Sequence, residues 1–181
     1  VLYALGPEPE LSNKWTSDRY DFFSKRHPGI KVEKRRMINK VDINESMAFT
    51  DAILTIGNNF VRQGYEKFGK KIYNVCFSSH PDLRSDINQL VCRNQRKFLY
   101  FGGNGNIVKG LDLAIEAFAG LPDIQLYIGA PTTEEEFNNI YNPILKKSSN
   151  IHFLGFIQVA GELFNQITSE CGYVILPSCS E

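Results

Sequence analysis

The sequence is poor in the residues from which metal centres and disulfide frameworks are built. Its 181 residues include four cysteines and three histidines. No two cysteines form a Cys-x-x-Cys pair, and the histidines are far apart; these residues occupy positions 76, 92, 171 and 179, and 27, 80 and 152. Zinc sites need closely spaced Cys and His ligands. The sequence therefore predicts no bound metal, and scattered cysteines are typical of reduced thiols in the cytoplasm.

Long hydrophobic runs, repeats and low-complexity segments are also missing. Apolar runs such as 173–176 are far shorter than the roughly 20 residues that span a bilayer, and no targeting segment is visible. Hydrophobic residues make up 43% of the chain and charged residues 22%, which is ordinary for a globular protein. Because the chain opens on Val1, within what reads as folded sequence, we expect a fragment.

The net charge of the whole chain is zero, but its two halves carry opposite charge. Residues 1–97 hold 17 basic and 11 acidic residues, a net of +6, whereas residues 98–181 hold 3 and 9, a net of −6. This asymmetry indicates two structural units. The basic half, with the run Lys34-Arg35-Arg36, would favour an anionic acceptor or peripheral membrane contact, or is a solvated face. No basic run interleaved with aromatic residues indicates nucleic acid.

Hydrophobic periodicity predicts an α/β fold. In the first half, residues 1–13 read as a short strand and a loop, while 31–45 have no clear pattern and 78–95 read as a connection. The expected elements there are a helix over 17–27, a strand over 51–56, a helix over 60–68 capped by Gly69, and a strand over 71–77.

The second half alternates strands with helices. The strands are expected at 98–101, 124–129, 151–153 and 173–176, and the helices at 109–119, 134–147 and 161–170. This order predicts a parallel sheet with right-handed crossovers. Ligands bind such sheets at the carboxyl ends of the strands, which here are followed by the loops 102–109, 129–133, 154–160 and 177–181.

A glycine-rich turn follows the first of these strands. Gly102, Gly103 and Gly105 allow the backbone to turn tightly and to approach a ligand. A helix N-terminus follows, where unpaired N–H groups favour an anion, and Lys109 adds a positive charge. The turn therefore predicts a phosphate-bearing ligand; the alternative is a tight turn with a surface lysine and no ligand.

Two common phosphate-binding fingerprints fit this turn poorly. Val108 stands where the third glycine of G-x-G-x-x-G belongs, and no acidic residue for a ribose hydroxyl follows the second strand. The Walker pattern requires a lysine directly after its last glycine, and Leu111 follows Gly110 instead.

Four segments resemble, in order, the donor-binding domain of the group 1 (family four) retaining glycosyltransferases, which have the GT-B fold. They begin with Gly-Gly-x5-Lys-Gly-x-Asp-x-x-Ile-x-Ala-Phe from Gly102. The others are Ile-Gly-Ala-Pro at 128–131, Asn-Ile-His-Phe-Leu-Gly-Phe at 150–156 and Leu-Pro-Ser-Cys-Ser-Glu at 176–181. Residues 51–58 resemble, more loosely, the strand that closes the family's N-terminal, acceptor-binding domain.

The resemblance implies two Rossmann-like parallel-sheet domains, both incomplete, over residues 1–90 and 91–181. It implies a hexosyltransferase that moves a sugar, with retention, from a nucleotide-diphosphate sugar to a glycan, lipid-linked or small-molecule acceptor. Such an enzyme builds cell-wall or other polysaccharides or glycoconjugates at the cytoplasmic side. It would use the nucleotide sugar as co-substrate, with no metal and no other cofactor. We expect the fragment itself to be inactive.

The resemblance also assigns roles to individual residues. Lys109, with the turn formed by Gly102, Gly103, Asn104 and Gly105, would contact the donor diphosphate. Glu181 matches the first glutamate of the family's pair, near the donor sugar, and with Lys109 would be catalytic; the second glutamate is expected at position 189. The remaining donor-binding residues would be Gly129, Pro131, Gly155 and Phe156. Asn104 departs from the family's arginine and offers hydrogen bonds but no charge.

Three alternatives stay open. The chain could be a nucleotide-sugar-binding module without catalysis, a glycogen-synthase-like or phosphorylase-like enzyme of the same fold, or an NAD-type Rossmann oxidoreductase.

Overall fold

The computed structural model describes residues 1–38, 43–76 and 93–178. These residues form two compact units, each with its own parallel sheet. Residues 1–27, 33–38 and 43–76 belong to the first unit, and residues 28–32 and 93–178 to the second. The boundary expected between residues 90 and 91 lies outside the described residues.

The first unit is a three-stranded sheet with helices. Its elements are β1 (Leu2–Ala4), α1 (Pro9–Arg26), α2 (Ile43–Ala48), β2 (Ala52–Ile56), α3 (Asn59–Glu66) and β3 (Lys71–Val75). The strands are parallel, in the order β1-β2-β3. A small core holds the sheet to α2 and α3 through Ala4, Met47, Ile53, Val61 and Tyr65. No helix in the described part of the chain is long and apolar enough to cross a membrane.

Two expectations for this unit were wrong. Helix α1 begins at Pro9, not near residue 17, because Glu8 accepts a hydrogen bond from Leu11 N at 3.2 Å and a proline at the first helical position needs no N–H partner. The region 31–45, which has no clear pattern in sequence, contains the start of α2. That helix is six residues long with only Met47 buried, too short to show a helical period.

The second unit alternates strands and helices, as predicted. Its elements are β4 (Asn94–Phe101), α4 (Leu111–Ala119), β5 (Gln125–Gly129), α5 (Glu135–Lys147), β6 (Ile151–Phe153), α6 (Glu162–Glu170) and β7 (Cys171–Ile175). All four strands are parallel, in the order β6-β5-β4-β7. The chain therefore moves outward from β4 to β6 and then returns to the other side of β4. The carboxyl ends of β4 and β7 form a topological switch point, where open α/β sheets bind ligands.

Strand β4 begins at Asn94, four residues earlier than expected. Its polar start pairs with Cys171 of β7 through an irregular register. Gly172 permits this approach, because a Cβ there would lie 2.8 Å from the carbonyl oxygen of Asn94. Burial of the Cys171 thiol raises its pKa to about 11.

Asn150 joins the end of α4 to the start of β6. Its side-chain nitrogen lies within hydrogen-bond distance of the carbonyl oxygens of Phe118, Leu121 and Ile124, at 2.9, 3.0 and 2.9 Å. Carbonyl groups at a helix C-terminus lack partners within the helix. The buried amide of Asn150 thus adds a donor at the end of α4 and links the helix to the two carbonyls of the connection between α4 and β5.

Helix α4 begins at Leu111, two residues later than expected. The residue before the helix, Gly110, lies in close contact with Pro177. Gly110 has φ of +73°, and a Cβ there would overlap the carbonyl oxygen of Pro177 and lie 2.8 Å from Pro177 Cγ. Both the backbone conformation and the contact therefore require glycine.

We expect Gly110→Ala to destabilise the second unit by about 2 kcal/mol or more, because alanine is strained at positive φ and displaces Pro177. Gly120→Ala, at the other end of α4, is the control, since its Cβ would make an ordinary 3.6 Å contact. Urea denaturation, with hydrogen exchange in β4 reporting on this unit, measures the difference. Equal stability of the two variants would contradict the assigned contact.

Candidate functional site

The candidate site lies at the carboxyl ends of β4 and β7. The loop 102–110 follows β4, and residues 176–178 follow β7. The close approach of Gly110 to Pro177 brings these two loops together. The loops after β5 and β6 leave the same edge of the sheet, because all four strands are parallel.

The glycine turn has an exposed outer part and a buried inner part. Gly102 N donates to Gly129 O at 3.1 Å and continues the sheet. Gly103 and Asn104 are exposed, and Gly105 turns the chain inward with φ of +93°. The turn then enters the core, where Asn106, Ile107 and Val108 are fully buried. Lys109 lies in this turn, ahead of α4 and not in its first turn.

Four amide groups in and just after the inner part of the turn donate hydrogen bonds within the protein. Lys109 N donates to Gly105 O at 2.9 Å, Gly110 N to Ile107 O at 3.0 Å, and Leu111 N to Asn106 O at 2.9 Å. Ile107 N donates to the Glu134 carboxylate at 3.0 Å. These four amide donors are therefore committed within the protein.

The side chain of Lys109 runs back across the end of β4. A Cβ on Gly102 would lie 3.6 Å from Lys109 Cδ and 3.3 Å from the Tyr100 ring. Tyr100 OH also donates to the carbonyl oxygen of Lys109 at 3.2 Å. The structure therefore brings Lys109 and Gly102 together, and the missing side chain of Gly102 leaves room for the lysine.

The loop after β5 is tied to the turn. Asn106 Nδ2 donates to Pro131 O at 2.8 Å, next to the contact of Glu134 with Ile107. Gly129 lies beneath Ile157, since a Cβ there would come within 2.7 Å of Ile157 Cδ1. Gly129 and Pro131 thus have packing roles, whereas their expected contacts with a donor stay predictions.

The other predicted residues lie apart from the turn. Gly155 has φ of +72° and open space around it, and the Phe156 side chain is 78% exposed. Both follow β6, which is separated from β4 by β5. Glu181 lies outside the described residues.

The histidines that the structure describes have partners within the fold. His152 Nε2 lies 2.7 Å from Gln125 Oε1, and its ring stacks on Tyr127 with centroids 4.7 Å apart. His27 packs on Phe23 at 4.6 Å. Within 1–38, 43–76 and 93–178, no three His, Cys, Asp or Glu side chains form a group that could hold a metal ion.

The basic run of the first unit is partly paired with acids. Lys34 Nζ lies 2.7 Å from Asp21 Oδ1, and Arg35 lies 3.4 Å from Glu33 Oε2. All four side chains are substantially exposed, which is typical of a solvated charged face.

A cavity of about 890 Å³ lies in the first unit, at the carboxyl ends of β1 and β2. Its wall is mostly apolar, and its polar lining residues are Ser12, Arg36, Ser46 and Asn58. Asn58 also caps α3, with its side-chain oxygen accepting from Phe60 N at 2.9 Å. No motif in the sequence indicates this cavity.

Sequence reasoning missed Asn106 and Glu134, the two buried polar residues that fasten the turn. Asn106 resembles any polar residue of a glycine-rich loop. Glu134 is the first of three consecutive glutamates at a helix start, where acids are common. Its burial and its contact across 27 residues distinguish it from its neighbours, and neither is visible in the sequence.

No protein-family model matches this chain, and comparison with curated proteins gives no match. The functional argument therefore rests on the chain's own residues and their geometry.

We expect Asn106→Asp to be more destabilising than Asn106→Ala. Alanine leaves the partly buried Pro131 carbonyl without its donor, at a cost of about 1 kcal/mol, whereas aspartate also sets a buried carboxylate against that carbonyl oxygen. Urea denaturation at neutral pH gives both values. An Asp variant as stable as the wild type would contradict the contact.

Proposed function

We propose that the protein is a retaining glycosyltransferase that takes a hexose from a nucleotide-diphosphate sugar. One observation carries the proposal: the glycine turn at the switch point of a parallel sheet, with the Lys109 side chain folded across Gly102. The four motifs that resemble the group 1 family support it, because they include or follow the carboxyl ends of β4, β5, β6 and β7 in order. The GT-B arrangement of the two units is part of the proposal.

Lys109 and the amides of the outer segment 103–105 would bind the diphosphate. When the bond between the anomeric carbon and the phosphate oxygen breaks, negative charge grows on the leaving diphosphate. Donors and a cation fixed beside that charge lower the barrier. Asn104 is exposed beside this position and would add an amide donor where the family has a guanidinium group.

The remaining roles follow the resemblance. Glu181 would contact the donor sugar, while Gly155 and the exposed Phe156 would flank the nucleobase. The acceptor, a glycan, lipid-linked or small molecule, would occupy the first unit, whose cavity is large enough for a ligand. The basic first half would meet an anionic acceptor or membrane surface at the cytoplasmic side.

A nucleotide-sugar-binding module without catalysis is the second candidate. The neutral Asn104 favours it, because the leaving group then receives one cation fewer than in the family. Turnover of a nucleotide sugar by the intact protein separates the two functions.

We expect the intact protein to bind a nucleoside diphosphate, and Lys109→Ala to weaken that binding about ten- to a hundredfold through loss of a charge-assisted contact. Thermal shift with UDP, GDP, ADP and NAD selects the ligand, and calorimetry gives the dissociation constant. Lys146→Ala, which removes an exposed lysine at the end of α5, is the control. Preference for NAD, or affinity unchanged by Lys109→Ala, would refute the proposal.

A further inference from the structure

Glu134 is a buried acid that does not serve its own helix. It stands at the N-cap position of α5, yet its side chain makes no capping hydrogen bond there. It is 3% exposed, and its Oε2 accepts instead from Ile107 N, in the turn before α4. Burial of a carboxylate is costly unless hydrogen bonds compensate it. This acid therefore has a specific partner in the turn.

That partner lies at the centre of the turn. The N–H of Ile107 is held by Glu134, and its carbonyl oxygen accepts from Gly110 N at 3.0 Å. Lys109 lies between Ile107 and Gly110 in the sequence, and its own N–H donates to Gly105 O at 2.9 Å. The orientation of the peptide at Ile107 thus determines the path of the backbone that carries Lys109.

A second contact joins the same two loops. Asn106 Nδ2 donates to Pro131 O at 2.8 Å, three residues before Glu134. The two contacts link the turn after β4 with the loop after β5 on both sides of the peptide bond between Asn106 and Ile107. Glu134 is therefore connected to Lys109 through one hydrogen bond and the backbone of residues 107–109.

We propose that Glu134 is a positioning residue that holds Lys109 in place for the diphosphate of the donor. The inference rests on the proposed function of this site. The role requires an acceptor oxygen at the reach of a glutamate side chain, not a negative charge. A charge near a bound anion would in fact oppose it. The length of the side chain at position 134 (its reach) and its charge can be changed separately by substitution.

Three substitutions separate reach from charge. Glu134→Gln keeps an acceptor at the same reach and removes the charge, so the intact protein should bind its nucleoside diphosphate as tightly as the wild type or more tightly. Glu134→Asp keeps the charge but is one methylene shorter, and Glu134→Ala has no acceptor. We expect both to weaken binding about tenfold. Glu135→Ala, which removes the exposed neighbouring acid, is the control and should leave the dissociation constant unchanged.

A double substitution tests whether the effect passes through Lys109. Calorimetric titration with the preferred nucleoside diphosphate gives all dissociation constants. If Glu134 acts by positioning Lys109, Glu134→Asp should weaken binding to the wild type but add nothing in the Lys109→Ala background. Weakening of equal size in both backgrounds would overturn the inference, as would loss of binding in Glu134→Gln with retention in Glu134→Asp.

Amide hydrogen exchange at Ile107 supplies a readout without ligand. Glu134→Asp and Glu134→Ala should speed exchange of this amide, whereas Glu134→Gln should not. If the wild type binds no nucleoside diphosphate, the proposed function fails while exchange at Ile107 still tests the contact. If Lys109→Ala weakens binding but Glu134→Asp alters neither binding nor exchange, the positioning role alone fails.

Discussion

The backbone of residues 105–111 passes through the protein interior, and each buried amide there must find a partner. In a polar loop at the surface, water would supply these partners. Here the Glu134 carboxylate accepts from the amide of Ile107, while Gly105 O, Ile107 O and Asn106 O accept from the amides of residues 109, 110 and 111. Because unpaired buried N–H groups are costly, this set of bonds fixes one path for the turn. That path decides where Lys109 lies.

The strand order of the second sheet determines where this turn lies. Strand β4 is central, and the chain leaves it toward β5 and returns beside it as β7. Ligands of open α/β sheets bind beyond the carboxyl ends of strands at such a reversal of strand order. Gly110 allows Pro177 to approach the start of α4, so the two loops meet there. Sheet order and one glycine together set the exposed residues Gly103 and Asn104 at the switch point.

Much of the second unit could be predicted from sequence, because buried parallel strands leave continuous apolar runs such as Phe98 to Phe101. The polar start of β4 could not, since residues 94–97 are largely exposed and pair through a register that depends on Gly172. The start of α1 was misread because Glu8 and Pro9 are typical both of loops and of helix starts. Both errors concern the ends of elements, where individual side chains, and not hydrophobic periodicity, determine the boundary.

The sequence predicts that Lys109 lies at the glycine turn, but it does not predict the conformation of that turn or its hydrogen bonds. The expected helix start placed it among free amides, whereas the structure places it in a turn whose inner amides are already bonded. The partner of Ile107 lies 27 residues away, and no local pattern indicates a contact of that range. The cavity of the first unit was missed for the same reason, since its wall combines separate segments between residues 2 and 65.

A structure of the intact protein with a bound nucleoside diphosphate tests the central claim most directly. We expect phosphate oxygens within about 3 Å of Lys109 Nζ and of amides in the segment 103–105, with Ile107 N still donating to Glu134. A diphosphate bound away from the carboxyl ends of β4 and β7, or one that displaces Glu134 from the Ile107 amide, would contradict it.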